Sequence, residues 1–142
     1  MMYLKKKGVD KFDYNFYRKR WAKWRTRKKI EGSRIAFYTK YLLEEKEANV
    51  VILSVQDNKF EFEKFLFELR KRNIRVILLL ENEKAKETEI ALRLGVYDLI
   101  FGTFTIKDVL KLVKNANNFS DISESYKKIY KIEEDANWKE KL

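Results

Sequence analysis

The sequence predicts an α/β fold, a parallel sheet of five strands with helices on both faces. Three observations predict it. Short apolar runs recur along the chain, helical periods lie between them, and each run is apolar on consecutive positions, as in strands covered on both faces. Strand and helix in alternation imply crossover connections and therefore parallel pairing. At 142 residues the chain is about one domain long and can bury roughly two thirds of its unfolded surface, enough for a core without disulfides or metals.

Taken in order, residues 2–4 (MYL) are the candidate first strand, and residues 11–29 the helix that follows it. MYL runs into three lysines and makes a poor central strand, so residues 1–30 read either as a first strand–helix unit or as an appended arm. Residues 34–38 (RIAFY) form the next strand, with a short helix through Leu42, Leu43 and Glu47. The clearest strands are 49–54 (NVVILS), 75–80 (RVILLL) and 97–101 (YDLIF). Between the first two, Phe62, Phe65, Leu66 and Leu69 recur at spacings of three and four, giving one apolar helix face. Between the last two, residues 83–94 repeat the pattern with Ile90, Ala91 and Leu94, and Gly95 follows where a helix end calls for a left-handed backbone. Thr105 is placed as N-cap of a helix over 106–113.

Residues 120–142 read as a helical tail, with Ile122, Tyr126, Ile129 and Tyr130 on one side and Trp138 further along. The count gives a flavodoxin-like, three-layer sandwich with strand order 2-1-3-4-5. The organisation is a basic aromatic segment over 1–30, an α/β domain over 31–119 and the tail over 120–142.

Composition removes many chemistries. There is no Cys and no His, so disulfides, thiolate nucleophiles, Cys- or His-ligated zinc and the usual general base are all excluded. Gly8, Gly32, Gly95 and Gly102 are isolated, so there is no Gly-rich phosphate loop. With no cofactor motif, the expectation is a chain without cofactor or metal. No run of eighteen apolar residues occurs and the start lacks the apolar stretch of a secretory signal, which predicts a soluble cytoplasmic protein.

The net charge of +10 is a property of one segment. Residues 1–30 hold twelve Lys or Arg against Asp10 and Asp13, whereas the remainder holds twenty residues of each sign. At 100° per residue, Tyr14, Tyr17, Trp21 and Trp24 share one helix face, Lys19, Arg20, Lys23 and Arg27 line the opposite one, and Arg18 and Arg25 flank the aromatic stripe. Such a helix is built to cover the sheet with its rings, or to meet nucleic acid or an anionic membrane surface through residues 5–29.

The stretch from Asn49 to Tyr126 resembles the receiver-like amino-terminal domain of the MinD-like ATPases of the CpaE and TadZ group, which serve pilus assembly and mobile elements. The residues that carry the likeness are NVVILS, LRKRNIRVILLL, LGVYDLIF and VLKLVKNANNFSDISESY. Its motifs are structural, and the ATPase part has no counterpart in this chain. The resemblance implies a protein partner, such as a MinD-like ATPase or a secretion or conjugation component, and a homodimer face made of the elements at 83–94, 97–101 and 106–113.

Set against a phosphorylated receiver, the reactive positions are degenerate. Ser54 stands where the phospho-acceptor carboxylate belongs, and Gly102 and Thr103 stand where a lysine–proline pair belongs. The hydroxyl position falls near Leu79, Leu80 or Glu81. The acidic pair expected after the first strand is met by Leu4, Lys5 and Lys6, and lysines there repel magnesium. Ser54 with Asp57 also admits a nucleophile reading, against the plainer one of a strand-ending serine and a loop aspartate. Asp98 reads as a structural polar residue at a strand start. The expected function is a non-enzymatic pseudo-receiver that acts by contact, with nucleic-acid binding by residues 5–29 as the alternative.

Overall fold

The computed structural model describes residues 2–5, 33–35, 48–54, 61–133 and 137–141. Its centre is a three-stranded parallel sheet made by β3 (Ala48–Ser54), β4 (Arg75–Leu80) and β5 (Asp98–Phe101). Among the described residues four α-helices accompany it: α1 (Phe62–Lys71), α2 (Lys86–Arg93), α3 (Ile106–Lys114) and α4 (Phe119–Tyr130). The class is α/β and is compatible with a flavodoxin-like fold.

Successive residues of β3 and β4 feed two separate cores, because side chains alternate across a strand. Val51, Leu53, Val76, Leu78 and Leu80 face α1 and α2, and α4 adds Ile122 to the same side. Ile52, Ile77 and Leu79 face α3 through Val109 and Leu112. Both faces are therefore covered, which is why these strands carry unbroken apolar runs rather than an alternating pattern. The four residues that α1 buries are Phe62, Phe65, Leu66 and Leu69, the face expected from their spacing. Burial of each contributes about 2 kcal/mol.

The helix ends follow local chemistry. After α2 the amide of Val96 donates to the Ala91 carbonyl at 2.8 Å and that of Gly95 to Leu92 at 3.1 Å, with Gly95 at φ +75°. This is the paired bonding of a Schellman stop, and it needs a left-handed residue at that position. Asn73, at φ +58°, performs the same turn after α1. Thr105 caps α3 as expected: its hydroxyl accepts from the Asp108 amide, and the Asp108 carboxylate accepts in return from the Thr105 amide at 2.7 Å. Asn118 and Asp121 repeat this box at the start of α4.

Two short strands extend the sheet, β1 (Met2–Lys5) and β2 (Ser33–Ile35), giving the order β2-β1-β3-β4-β5. Here the expectation of a wholly parallel sheet is corrected, because β1 is antiparallel to both β2 and β3. The physical reason lies in what each pairing demands. A central parallel strand is buried on both faces and needs a continuous apolar run, which MYLK is not; antiparallel ladders form with short, half-polar strands. The ladder is also irregular, shifting register between Leu4 and Lys5.

Reversing β1 moves its lysine. Lys5 lies opposite Ala48, the first residue of β3, while Met2 lies opposite Ile52. At about 3.3 Å per residue, Lys5 is thus about 20 Å along the strand from Ser54. The assignment of Leu4 and Lys5 to the acidic-pair position beside Ser54 is therefore corrected. The lysine that ends β1 sits at the opposite end of the sheet, and its repulsion of magnesium near Ser54 falls away as an argument. Lys6 lies outside the described residues, as do the expected helix at 11–29 and the short one through Leu42, Leu43 and Glu47.

Candidate functional site

In open α/β sheets ligands bind beyond the carboxyl ends of the parallel strands, so that end is built up first. Ser54 closes β3 and pairs in register with Leu79 of β4. Its Oγ is buried and has no hydrogen-bond partner among the described residues. β4 ends on buried Leu80, and the exposed Glu81 follows. Past β5 the chain turns through Gly102, at φ +72°, whose amide donates to the Leu80 carbonyl at 2.8 Å. Thr103 is exposed, and Thr105 then caps α3.

The structure thus brings Ser54, Gly102 and Thr103 to one end of the sheet, each on the strand end that the sequence assigned it. The described groups at the three strand ends include the buried Ser54 hydroxyl, the exposed Glu81 carboxylate, the Gly102 turn and the exposed Thr103 hydroxyl. Among the described residues no group of three or more His, Cys, Asp or Glu is placed to hold a metal ion. Asp57 lies outside the described residues, as do Arg18, Lys19, Arg20, Trp21, Lys23, Trp24, Arg25 and Arg27.

The amino end of the same strands is chemically denser. Arg75 opens β4 and Asp98 opens β5, and the Arg75 Nε donates to Asp98 Oδ2 at 2.6 Å. The other guanidinium nitrogens donate to the carbonyls of Val113, at 3.1 Å, and Leu112, at the last turn of α3. The second Asp98 oxygen accepts from the Asn117 amide at 2.7 Å, and the Asn117 side chain donates to the Tyr97 carbonyl at 3.2 Å. Asp98 is only 5% exposed.

A buried carboxylate is tolerated when its oxygens are filled, and a cation at a helix carboxyl terminus meets the negative end of the helix dipole. Both conditions are met here. The cluster is a structural clasp joining β4, β5, α3 and the loop before α4. Sequence reasoning placed Asp98 as a structural polar residue but missed Arg75 as its partner. The signal was present: two neighbouring strands open on residues of opposite charge.

The face formed by α2 and β5 is already in use. Tyr97, Phe119, Tyr126 and Tyr130 form a chain of ring contacts with centroids 5.9, 5.2 and 4.4 Å apart. The Tyr130 hydroxyl donates to the Glu89 carbonyl at 3.5 Å, and Lys128 pairs with Glu83 at 3.6 Å. The helical tail therefore lies against part of the surface expected for a dimer.

Comparison with known proteins adds no relative: no family model, no curated protein and no solved structure matches the chain. No helix among the described residues is long and apolar enough to cross a membrane.

Proposed function

We propose that the chain is a non-enzymatic, receiver-like module that works by contact with a protein partner, of the kind that accompanies the MinD-like ATPases of pilus-assembly or mobile-element systems. The observation that carries this reading is the carboxyl end of β3. A receiver that accepts phosphate needs a carboxylate there, and this strand ends on Ser54, whose hydroxyl is buried without a partner among the described residues. Gly102 and Thr103 after β5 supply no ammonium group to hold a phosphoryl oxygen. Support for the class comes from the parallel β3-β4-β5 sheet with helices on both faces.

The test is exposure of the whole chain to acetyl phosphate, and separately to beryllofluoride with magnesium, read by intact mass and by amide chemical shifts. The expected result is no mass gain and no shift at Ser54, Glu81 or Gly102. Stoichiometric phosphorylation, or a magnesium-dependent shift at those residues, overturns the reading.

The second reading is nucleic-acid binding through residues 5–29, favoured by the concentration of the whole excess charge in residues 1–30. It predicts DNA or RNA affinity that falls steeply with salt and is lost when Arg18, Lys19, Arg20, Lys23, Arg25 and Arg27 are changed to glutamine. Absence of binding at 50 mM salt rejects it.

A further inference from the structure

α1 and α2 lie side by side on one face of the sheet and leave a groove of about 890 Å³ between them. Its floor is apolar. Phe62 and Ile90 are buried at its base, Leu94 is half-buried at one end, and Phe67 projects 52% exposed. An exposed phenylalanine on an otherwise well-packed helix is the kind of side chain that anchors contacts between proteins. The rim is charged and uneven: Glu61, Glu63, Glu68 and Glu87 against Lys64 and Lys86.

The rim acids are only loosely committed within the chain. Glu61 pairs with Lys64 at 2.9 Å, both largely exposed, and Arg93 reaches Glu63 from outside the groove. Glu68 meets Lys71 and Arg72 only at 4.0 Å. Exposed pairs of this sort hold weakly, so an incoming cation can replace the internal one with little loss.

We propose that this groove docks an amphipathic helix of a protein partner, one with an apolar stripe and Lys or Arg on its flanks. α1 and α2, of ten and eight residues, present walls about 12 to 15 Å long. That length holds two turns of a partner helix, with anchors at spacings of i, i+4 and i+7 over the apolar floor. The four rim glutamates then face the basic flanks. The inference rests on the contact-module reading and names the partner's chemistry. Ser54, Gly102 and Thr103 do not line the groove, so a negative phosphorylation result and a negative docking result fail different claims.

The experiment is an amide chemical-shift titration of the full chain with two helical peptides that share a leucine stripe. One carries lysine on its flanks and the other glutamate. The lysine peptide is expected to bind on the order of tens of micromolar, as small transient interfaces do, with shifts concentrated at Phe67, Glu87, Ile90 and Leu94. Phe67→Ala is expected to weaken it about tenfold, and Glu87→Lys to weaken it further as salt is lowered; far-UV dichroism verifies that both variants fold. Equal binding of the glutamate peptide, shifts lying elsewhere, or no binding at millimolar peptide overturns the proposal. So does a sedimentation result in which Phe67→Ala dissociates a dimer of the chain, which would give the groove to a second copy.

Discussion

The two ends of the parallel strands differ in how fully their polar groups are used. At the amino end, Arg75, Asp98 and Asn117 fill one another's hydrogen-bonding capacity and reach across to the carbonyls of α3. At the carboxyl end, Ser54 keeps a buried hydroxyl with no partner among the described residues, and the neighbouring described chain offers a glycine turn and exposed side chains. In this fold class chemistry belongs at the carboxyl end and support at the other. Here the polar investment among the described residues is on the supporting side.

The contrast can be broken most sharply at Arg75. Arg75→Met leaves Asp98 buried with half of its partners gone, and removal of one member of a buried pair costs about 3 kcal/mol. Urea denaturation should show that loss; a change under 1 kcal/mol would mean that water already serves the carboxylate. Next in size is Thr105→Ala at the other end, which removes the hydroxyl half of a capping box and should cost about 1 kcal/mol by the same measurement.

Ser54→Ala should go the other way. With no hydrogen bond to lose and a desolvated hydroxyl removed, stability should rise by about 0.5 kcal/mol. A loss of 1 kcal/mol would reveal a partner for that hydroxyl in solution and would bring the two ends closer in kind.

The smallest effect concerns pH. The pKa of Tyr130 is raised from 10.0, first by partial burial, then by Glu89 and Tyr126, with Arg93 opposing. A raised value favours the neutral phenol in the folded state. The stability it contributes is therefore fully present below 10.0 and lost as pH rises through the folded value. Protection of the α4 amides relative to an unfolded chain at the same pH should fall above that pH, while that of the clasp at the amino end of the strands is kept.

Much of the fold was legible because its signals are local. The runs in β3, β4 and β5 and the three-and-four spacing of Phe62, Phe65, Leu66 and Leu69 carry their structure within a few residues. Gly95 and Thr105 announce helix ends by their own backbone and hydroxyl chemistry. The direction of β1 was not legible, since side chains alternate across a strand in the same way whichever direction it runs, and its partners lie about thirty and fifty residues off. The Arg75 clasp was hidden for the same reason: its contacts span 23 to 38 residues of sequence. The positions of Ser54, Gly102 and Thr103 were legible because each follows directly from the end of a recognisable strand.

Those sequence separations bear on kinetics. The clasp can close only after β4, β5 and α3 have all come together, so its bonds belong to the last part of folding rather than to the nucleus. Interactions absent from the transition state act on the rate of opening. Most of the loss in Arg75→Met should therefore appear as faster unfolding, with refolding nearly unchanged, in denaturant-jump kinetics. In that sense the guanidinium at the head of β4 governs how long the molecule stays folded more than how readily it gets there.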